Sequence, residues 1–346
     1  MTHMTRRTAL ASMGAALATP ALVSRASAAE VTLRLHHFLP PVAPMHTSFF
    51  EVWAAELAEA SEGAIEVQIF PAMQLGGKPP QLADQVRNGI CDIAWTLPVY
   101  TPDRFPVAET MSNPFMVTNA EKTSVALHNL MDEFGGDEYR GMKPLAYHTH
   151  DGGKLHTRDA PVLSAADLQG LKLRAPNQST GDMLAGFGAE VVFFPVTEMV
   201  VGLSSGVIDG CCLPYEVVPA FKLQELTSFT SEPAAGARGL YANSFSLLMN
   251  EARYEGLSDD LRGVIDAASG IELSRRIGKQ FDGFEAFGRG VVEKHGNTIE
   301  EIPVEEINRW REAASPVHEA WIAKLNDRGH DGAAIMARAN ELLDAG

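Results

Sequence analysis

The chain has 346 residues, 44 of them acidic against 28 basic, giving a formal net charge of −16, and 45% are apolar. Such a balance excludes a nucleic-acid binder, which needs a clustered basic face to neutralise phosphates, and the length suits two lobes of ~100–200 residues each. Three cysteines, Cys91, Cys211 and Cys212, are too few and too irregularly spaced for a disulfide framework.

The first elements concern destination. Arg6-Arg7 forms a twin-arginine pair, followed by an apolar stretch from Ala9 to Val23 and the small-residue site Ala26-Ser27-Ala28. A membrane anchor would need ~20 apolar residues, so residues 1–28 read as a cleaved export signal, and the mature chain is expected free in the periplasm, not membrane-embedded.

From there the pattern alternates. Residues 31–38, VTLRLHHF, alternate like a strand, and Phe50, Trp53, Leu57 and Ala58 recur at helical spacing between Thr47 and Ser61 before Gly63 stops the run. Ile65 to Phe70 predicts a second strand, Pro79 to Asn88 a helix with proline at its start, and Ile90 to Thr96 a buried strand. The proline-rich stretch from Leu97 to Asn119 predicts a structured loop of the kind that carries function. A helix over residues 119–134 and a strand over 145–149 follow, and Asp151-Gly152-Gly153 predicts a hinge-like break.

Beyond the break, residues 171–176 (LKLRAP) lead into a helix over 177–188, residues 190–195 (EVVFFP) lead into a helix over 197–206, and residues 207–210 (VIDG) open a third strand. This is the β-α-β order of a parallel or mixed sheet, whose ligands bind at strand carboxyl ends. Adjacent Cys211 and Cys212 point to opposite faces of that strand as small buried hydrophobes. Tyr241 to Asn250 alternates as a strand returning to the first lobe. Ser258 predicts the N-cap of a long helix reaching His295, and Val304 to Leu325 predicts another despite Pro316. The C-terminal helices carry no heptad seam for a dimer.

Several residues suggest chemistry. Arg174 ends a strand opposite the Asn-rich start of a helix, a geometry suited to an anion; its plainer reading is a structural partner of Asp182. Gly202-Leu203-Ser204-Ser205-Gly206 matches G-x-S-x-G, but a nucleophile elbow needs a strand before the serine and a helix after it, the reverse of this context. His36, His37 and His46, and again His148, His150 and His156, raise the question of metal, yet supply no third ligand at fixed spacing. Glu198 opens a helix, where a carboxylate meets the dipole, which accounts for it without pairing it with Asp209 or Glu216 as acid and base. No cofactor is expected.

Four blocks then carry a resemblance: residues 62–77 (EGAIEVQIFPAMQLGG), 88–94 (NGICDIA), 163–177 (LSAADLQGLKLRAPN) and 188–210 (GAEVVFFPVTEMVVGLSSGVIDG). In this order and spacing the chain resembles the substrate-binding proteins of tripartite ATP-independent periplasmic (TRAP) transporters, the dicarboxylate-binding-protein family, over nearly all of its mature length. The resemblance implies an α/β clamshell of two lobes with mixed sheets, hinge-crossing strands and long helices, binding a small organic acid for delivery to TRAP permease subunits. The lobes are expected to comprise residues 29–151 with 239–278, and 152–238 with 279–346. A periplasmic enzyme acting on small acids, or a receptor for an ATP-driven transporter or sensor kinase, is the alternative.

By the same resemblance Arg174 matches the arginine that grips the substrate carboxylate at two points, and a planar guanidinium offers the paired donors this needs. Asn177 matches a supporting side chain, and Lys154 falls where relatives often carry a second cation. Leu213 stands where sugar-acid binders have an asparagine; Trp95, Leu97 and Tyr100 replace charged contacts, and Phe38 replaces an amide. Asn243, on the returning strand, completes the expected ligand set. A cationic end facing an apolar and aromatic one favours a mono- or keto-carboxylate with an apolar or aromatic tail over a polyhydroxylated sugar acid, whose hydroxyls would be left unpaired.

Overall fold

A computed structural model describes residues 29–345. The twin-arginine pair and the processing site lie outside the described residues. In chain order the strands are β1 (Val31–His36), β2 (Ile65–Phe70), β3 (Ile93–Thr96), β4 (Met142–Thr149), β5 (Lys154–Thr157), β6 (Lys172–Ala175), β7 (Glu190–Phe193), β8 (Gly210–Leu213), β9 (Phe229–Pro233), β10 (Ser244–Asn250) and β11 (Thr298–Ile302). They form two sheets, ordered β2-β1-β3-β10-β4 and β11-β9-β5-β8-β6-β7.

The strand chemistry explains the two arrangements. In β3 all four residues are buried, as in a parallel strand covered on both faces, and β1 pairs parallel with both β2 and β3 through the crossover helices Glu51–Ala60 and Leu82–Arg87. In the second sheet β6 pairs parallel with β7 and β8 through Gln178–Gly186 and Met199–Ser204. In each sheet the chain moves outward on one side and then on the other. The reversals lie between β1 and β3 and between β6 and β8, and a crevice opens at the carboxyl ends of such neighbours. β10 enters the first sheet antiparallel between β3 and β4.

Two segments cross between the lobes side by side. Gly153 donates its backbone N–H to the Tyr241 carbonyl at 2.8 Å, and a Cβ on Gly152 would stand 2.6 Å from the Gly239 Cα. Glycine is required on both segments because no side chain fits between the backbones. A helix of 25 residues, Ile271–His295, braces the pair. It packs on Ala120–Phe134 of the first lobe and on the turn Tyr215–Val217 of the second.

Gly288 marks the second contact, since a Cβ there would come 2.1 Å from the Tyr215 carbonyl oxygen. Gly288→Ala is therefore expected to shift that turn and lower stability by about 1–3 kcal/mol, the usual cost of overpacking, measurable as a reduced Tm. An unchanged Tm and ligand affinity would contradict the brace.

Several boundaries differ from expectation for identifiable reasons. Ser258 does cap a helix, its side chain accepting from the Leu261 N–H, but that helix stops at Ala267. Gly270, at φ +84°, turns the chain before the long helix begins separately. The run from Val304 to Leu325 divides into Val304–Ala313 and Ser315–Asp327, because Pro316 lacks the N–H that a continuous helix needs. β5, β9 and β11 were not anticipated; each is only four or five residues long. Residues 279–346, assigned by sequence to the second lobe, also divide. Ile307 and Trp310 join the second-lobe core with Leu173 and Leu184, whereas Gly332–Ala345 packs on Ala120–Phe134, with Arg338 paired to Glu133. Cys211 and Cys212 are free and buried in different core clusters, as opposite-facing neighbours must be.

Candidate ligand-binding site

A narrow cavity lies between the lobes at the two strand reversals. The first sheet presents Trp95 from β3, Leu97 and Tyr100 just after it, and Phe38 and Leu39 just after β1. From the second lobe come Arg174 on β6, Leu213 at the end of β8, and Pro214, Glu216 and Val217 on the turn that follows. Tyr241, Asn243 and Phe245 enter on the crossing segment. Their spacing of two puts alternate residues of an extended chain on one face, so Tyr241 and Phe245 join the expected Asn243.

The wall is layered aromatic. Trp95 stacks on Phe38 at 5.0 Å and on Phe245 at 4.7 Å between ring centroids, with interplanar angles of 18° and 8°. Its indole N–H donates to His148 Nε2 at 2.8 Å, fixing the ring in its plane. Trp95 belongs at once to the core and to the cavity lining, so the plain core reading and the binding reading are both met by one side chain.

Arg174 defines the opposite character. It is 2% exposed, and its Nε–H donates to the Phe194 carbonyl at 3.0 Å. Among the described residues no carboxylate lies within salt-bridge reach of it. Asp182, its candidate structural partner, accepts from Gln178 at 2.6 Å instead. Tyr100 lies beside the guanidinium, its hydroxyl accepting from the Val196 N–H at 3.2 Å. Burial raises this phenol above the ordinary tyrosine value, while Arg174 pulls the other way, leaving it neutral. A desolvated guanidinium without a protein anion is costly alone, and its two remaining nitrogens are matched to a carboxylate.

Asn177 and Lys154 do not line the cavity. Asn177 caps the helix Gln178–Gly186, its Oδ1 accepting from the Thr180 N–H at 2.8 Å, and its Nδ2 donates to Ser112 O at 3.2 Å and Asn243 Oδ1 at 2.9 Å. It thereby occupies the oxygen of Asn243, a residue of the cavity lining. Asn177 thus bonds to Ser112 and Asn243 and ties the lobes together.

Lys154 is drawn away by carboxylates: its Nζ hydrogen bonds to Glu285 and pairs with Asp151 at 3.2 Å. Burial pulls its pKa down, but Glu285 and Asp151 more than offset this and leave it above the usual lysine value. Glu285 in turn accepts the Glu216 N–H at 3.0 Å.

The histidines are equally committed. Burial lowers His148 to about 3 and His150 to about 4. Neutral His150 donates from Nδ1 to the Asp151 carbonyl and accepts the Asn243 N–H on Nε2 at 3.0 Å. His37 contacts His46 at 2.9 Å, His36 contacts Gln85 at 2.7 Å, and His156 contacts Thr230 at 3.0 Å. Among the described residues no group of three or more His, Cys, Asp or Glu side chains is arranged to hold a metal. Ser204 and Ser205 donate back to Val200 and Val201 carbonyls at 2.6 Å, as helix serines do, without a base. Asp209 pairs with Arg158 at 3.3 Å, and Glu198 sits before the helix Met199–Ser204.

Two lobes with a cleft at paired strand reversals match a known family. The family model of bacterial extracellular solute-binding proteins, family 7, matches residues 35–325. The chain belongs to this family of TRAP solute-binding proteins. This solute-binding protein is 41% identical to a TRAP solute-binding protein of Rhodoferax ferrireducens solved with copurified benzoate, at a TM-score of 0.89 covering 91% of this chain and 98% of that one. It is 42% identical to a marine-metagenome TRAP protein specific for aromatic acids, solved with 3-hydroxybenzoate, again at 0.89 over 92% and 99%. Among curated proteins, an outer membrane transporter protein of Comamonas testosteroni is 27% identical over 90% of this chain and 91% of its own length. No helix among the described residues is long and apolar enough to cross a membrane.

Proposed function

We propose that this TRAP solute-binding protein is a periplasmic receptor for a small carboxylate with an apolar or aromatic tail, which it hands to a TRAP permease after twin-arginine export. The observation that carries the reading is Arg174: a buried cation without a counter-ion among the described residues, set against an aromatic wall. The ligand carboxylate would take the two free guanidinium nitrogens together with the Asn243 NH₂ and the Tyr100 hydroxyl. Its tail would lie along Phe38, Trp95, Leu97 and Leu213, gaining ~25 cal/mol for each Å² of apolar surface removed from water. The ligands of the two TRAP proteins at 41% and 42% identity, benzoate and 3-hydroxybenzoate, fit that description.

Tyr100 and Arg174 come from different lobes, so ligand held between them favours the closed clamshell over the open one. The solved proteins at 41% and 42% identity are solute-binding proteins, which supports a receptor over an enzyme.

A thermal-shift screen of benzoates, phenyl-substituted keto acids, short dicarboxylates and sugar acids checks the ligand class. An aromatic acid at 100 times its Kd is expected to add about 2.7 kcal/mol of stability. Stabilisation by a sugar acid with none by the aromatic or keto acids would refute the reading.

A further inference from the structure

We propose that Glu216 reads a hydroxyl group on the tail of the bound acid, so that the cavity prefers hydroxylated aromatic acids to their unsubstituted parents. The proposal rests on the aromatic-acid reading above and deepens it. Glu216 lines the cavity, is only 9% exposed, and among the described residues its carboxyl has no hydrogen-bond partner.

The turn that carries Glu216 is held from behind. Its backbone N–H is bonded to Glu285 at 3.0 Å, Glu285 is held by Lys154, and the Tyr215 hydroxyl donates to Glu232 at 2.9 Å. The preceding Pro214 and the close backbone of Gly288 leave the turn little room to move. A fixed backbone holds Glu216 in the cavity lining.

Other polar groups around the cavity are largely engaged. His150 has both ring nitrogens bonded, Tyr241 donates to the Cys212 carbonyl at 3.1 Å, and the Asn243 oxygen accepts from Asn177. The cationic group around Arg174 serves the carboxylate, which leaves Glu216 for a second polar group on the ligand. Burial and the neighbouring Glu285 push its carboxyl up to about 8, so near neutral pH it is a protonated acid, able to donate and to accept.

A hydroxyl is matched to such a group because it also donates and accepts. A second carboxylate would lie near Glu285, and an ammonium would be desolvated against the aromatic wall. An unsubstituted ring would cover the carboxyl and leave it unpaired, a loss of about tenfold in affinity.

Calorimetric Kd values for benzoate, the three hydroxybenzoate isomers and the matching methylbenzoates, on the full mature chain and on Glu216→Leu and Glu216→Gln, test the inference. Wild type is expected to bind one hydroxy isomer about tenfold more tightly than benzoate or its methyl counterpart. Glu216→Leu should bring the ratio to one or below and strengthen benzoate binding, while Glu216→Gln should retain a preference. An undiminished hydroxyl preference in Glu216→Leu overturns the role of Glu216 alone. Should that variant fail to fold, wild type binding a methyl isomer as tightly as its hydroxy counterpart overturns it equally. If no acid of the series binds wild type, the aromatic-acid reading falls and this inference with it.

Discussion

Arg174→Ala is expected to abolish measurable binding of the carboxylate ligand. Truncating one member of a buried, hydrogen-bonded charge pair costs about 2–5 kcal/mol, much of it the penalty of leaving the other charge unpaired, which is about 30-fold to several thousand-fold in Kd. Arg174→Lys keeps the charge but loses the fork that meets both carboxylate oxygens, so an intermediate loss is expected. Stability of the ligand-free protein should behave differently. The side chain makes one bond to the Phe194 carbonyl while carrying an otherwise uncompensated charge in a site 2% exposed. Removing that charge relieves a desolvation penalty about as large as the bond it sacrifices. The Tm without ligand should therefore change little, and the ligand-induced rise in Tm should vanish. Calorimetry beside thermal melts separates the two effects. An affinity preserved within a few-fold would show that the carboxylate is held elsewhere.

Lys154→Met is expected to do the reverse, acting first on the fold. Glu285 and Asp151 would be left facing each other without the cation between them. Breaking a buried pair from one side costs about 3–5 kcal/mol, equivalent to a fall of about 5–8 °C in Tm for a protein of this size. The double variant Lys154→Met with Glu285→Leu should recover most of the loss, because the unpaired charge goes with its partner. A lysine serving only as a ligand contact would give the opposite result: an unchanged Tm and a weakened Kd.

These two cations mark what could be read without coordinates. Arg174 is legible because its surroundings are local: a short strand, a proline and an Asn-capped helix in one run of sequence place it at a strand's carboxyl end. Lys154 stands in an equally suggestive position, but its fate depends on Glu285, which lies 131 residues away on the long helix. No local pattern contains that pair. Phe38, Trp95, Leu97 and Leu213 stood out only against the family resemblance, and the structure places each in or just beyond a strand at one of the two reversals. Glu216 offered no such signal. It sits on a three-residue turn, and its significance comes from the partners it lacks, visible only once the neighbouring groups are assigned.

The sequence alone determined the alternation of strands and helices and the acidic character of the chain, because periodicity, caps and composition act over a few residues at a time. Its resemblance to the TRAP solute-binding proteins pointed to Arg174 as a candidate carboxylate anchor opposite apolar side chains. Only the tertiary structure decided which polar groups remain free. Desolvation and hydrogen bonding are settled by whatever packs against a group, so distant segments turned Lys154 and Asn177 into supports and left Arg174 and Glu216 facing the cavity.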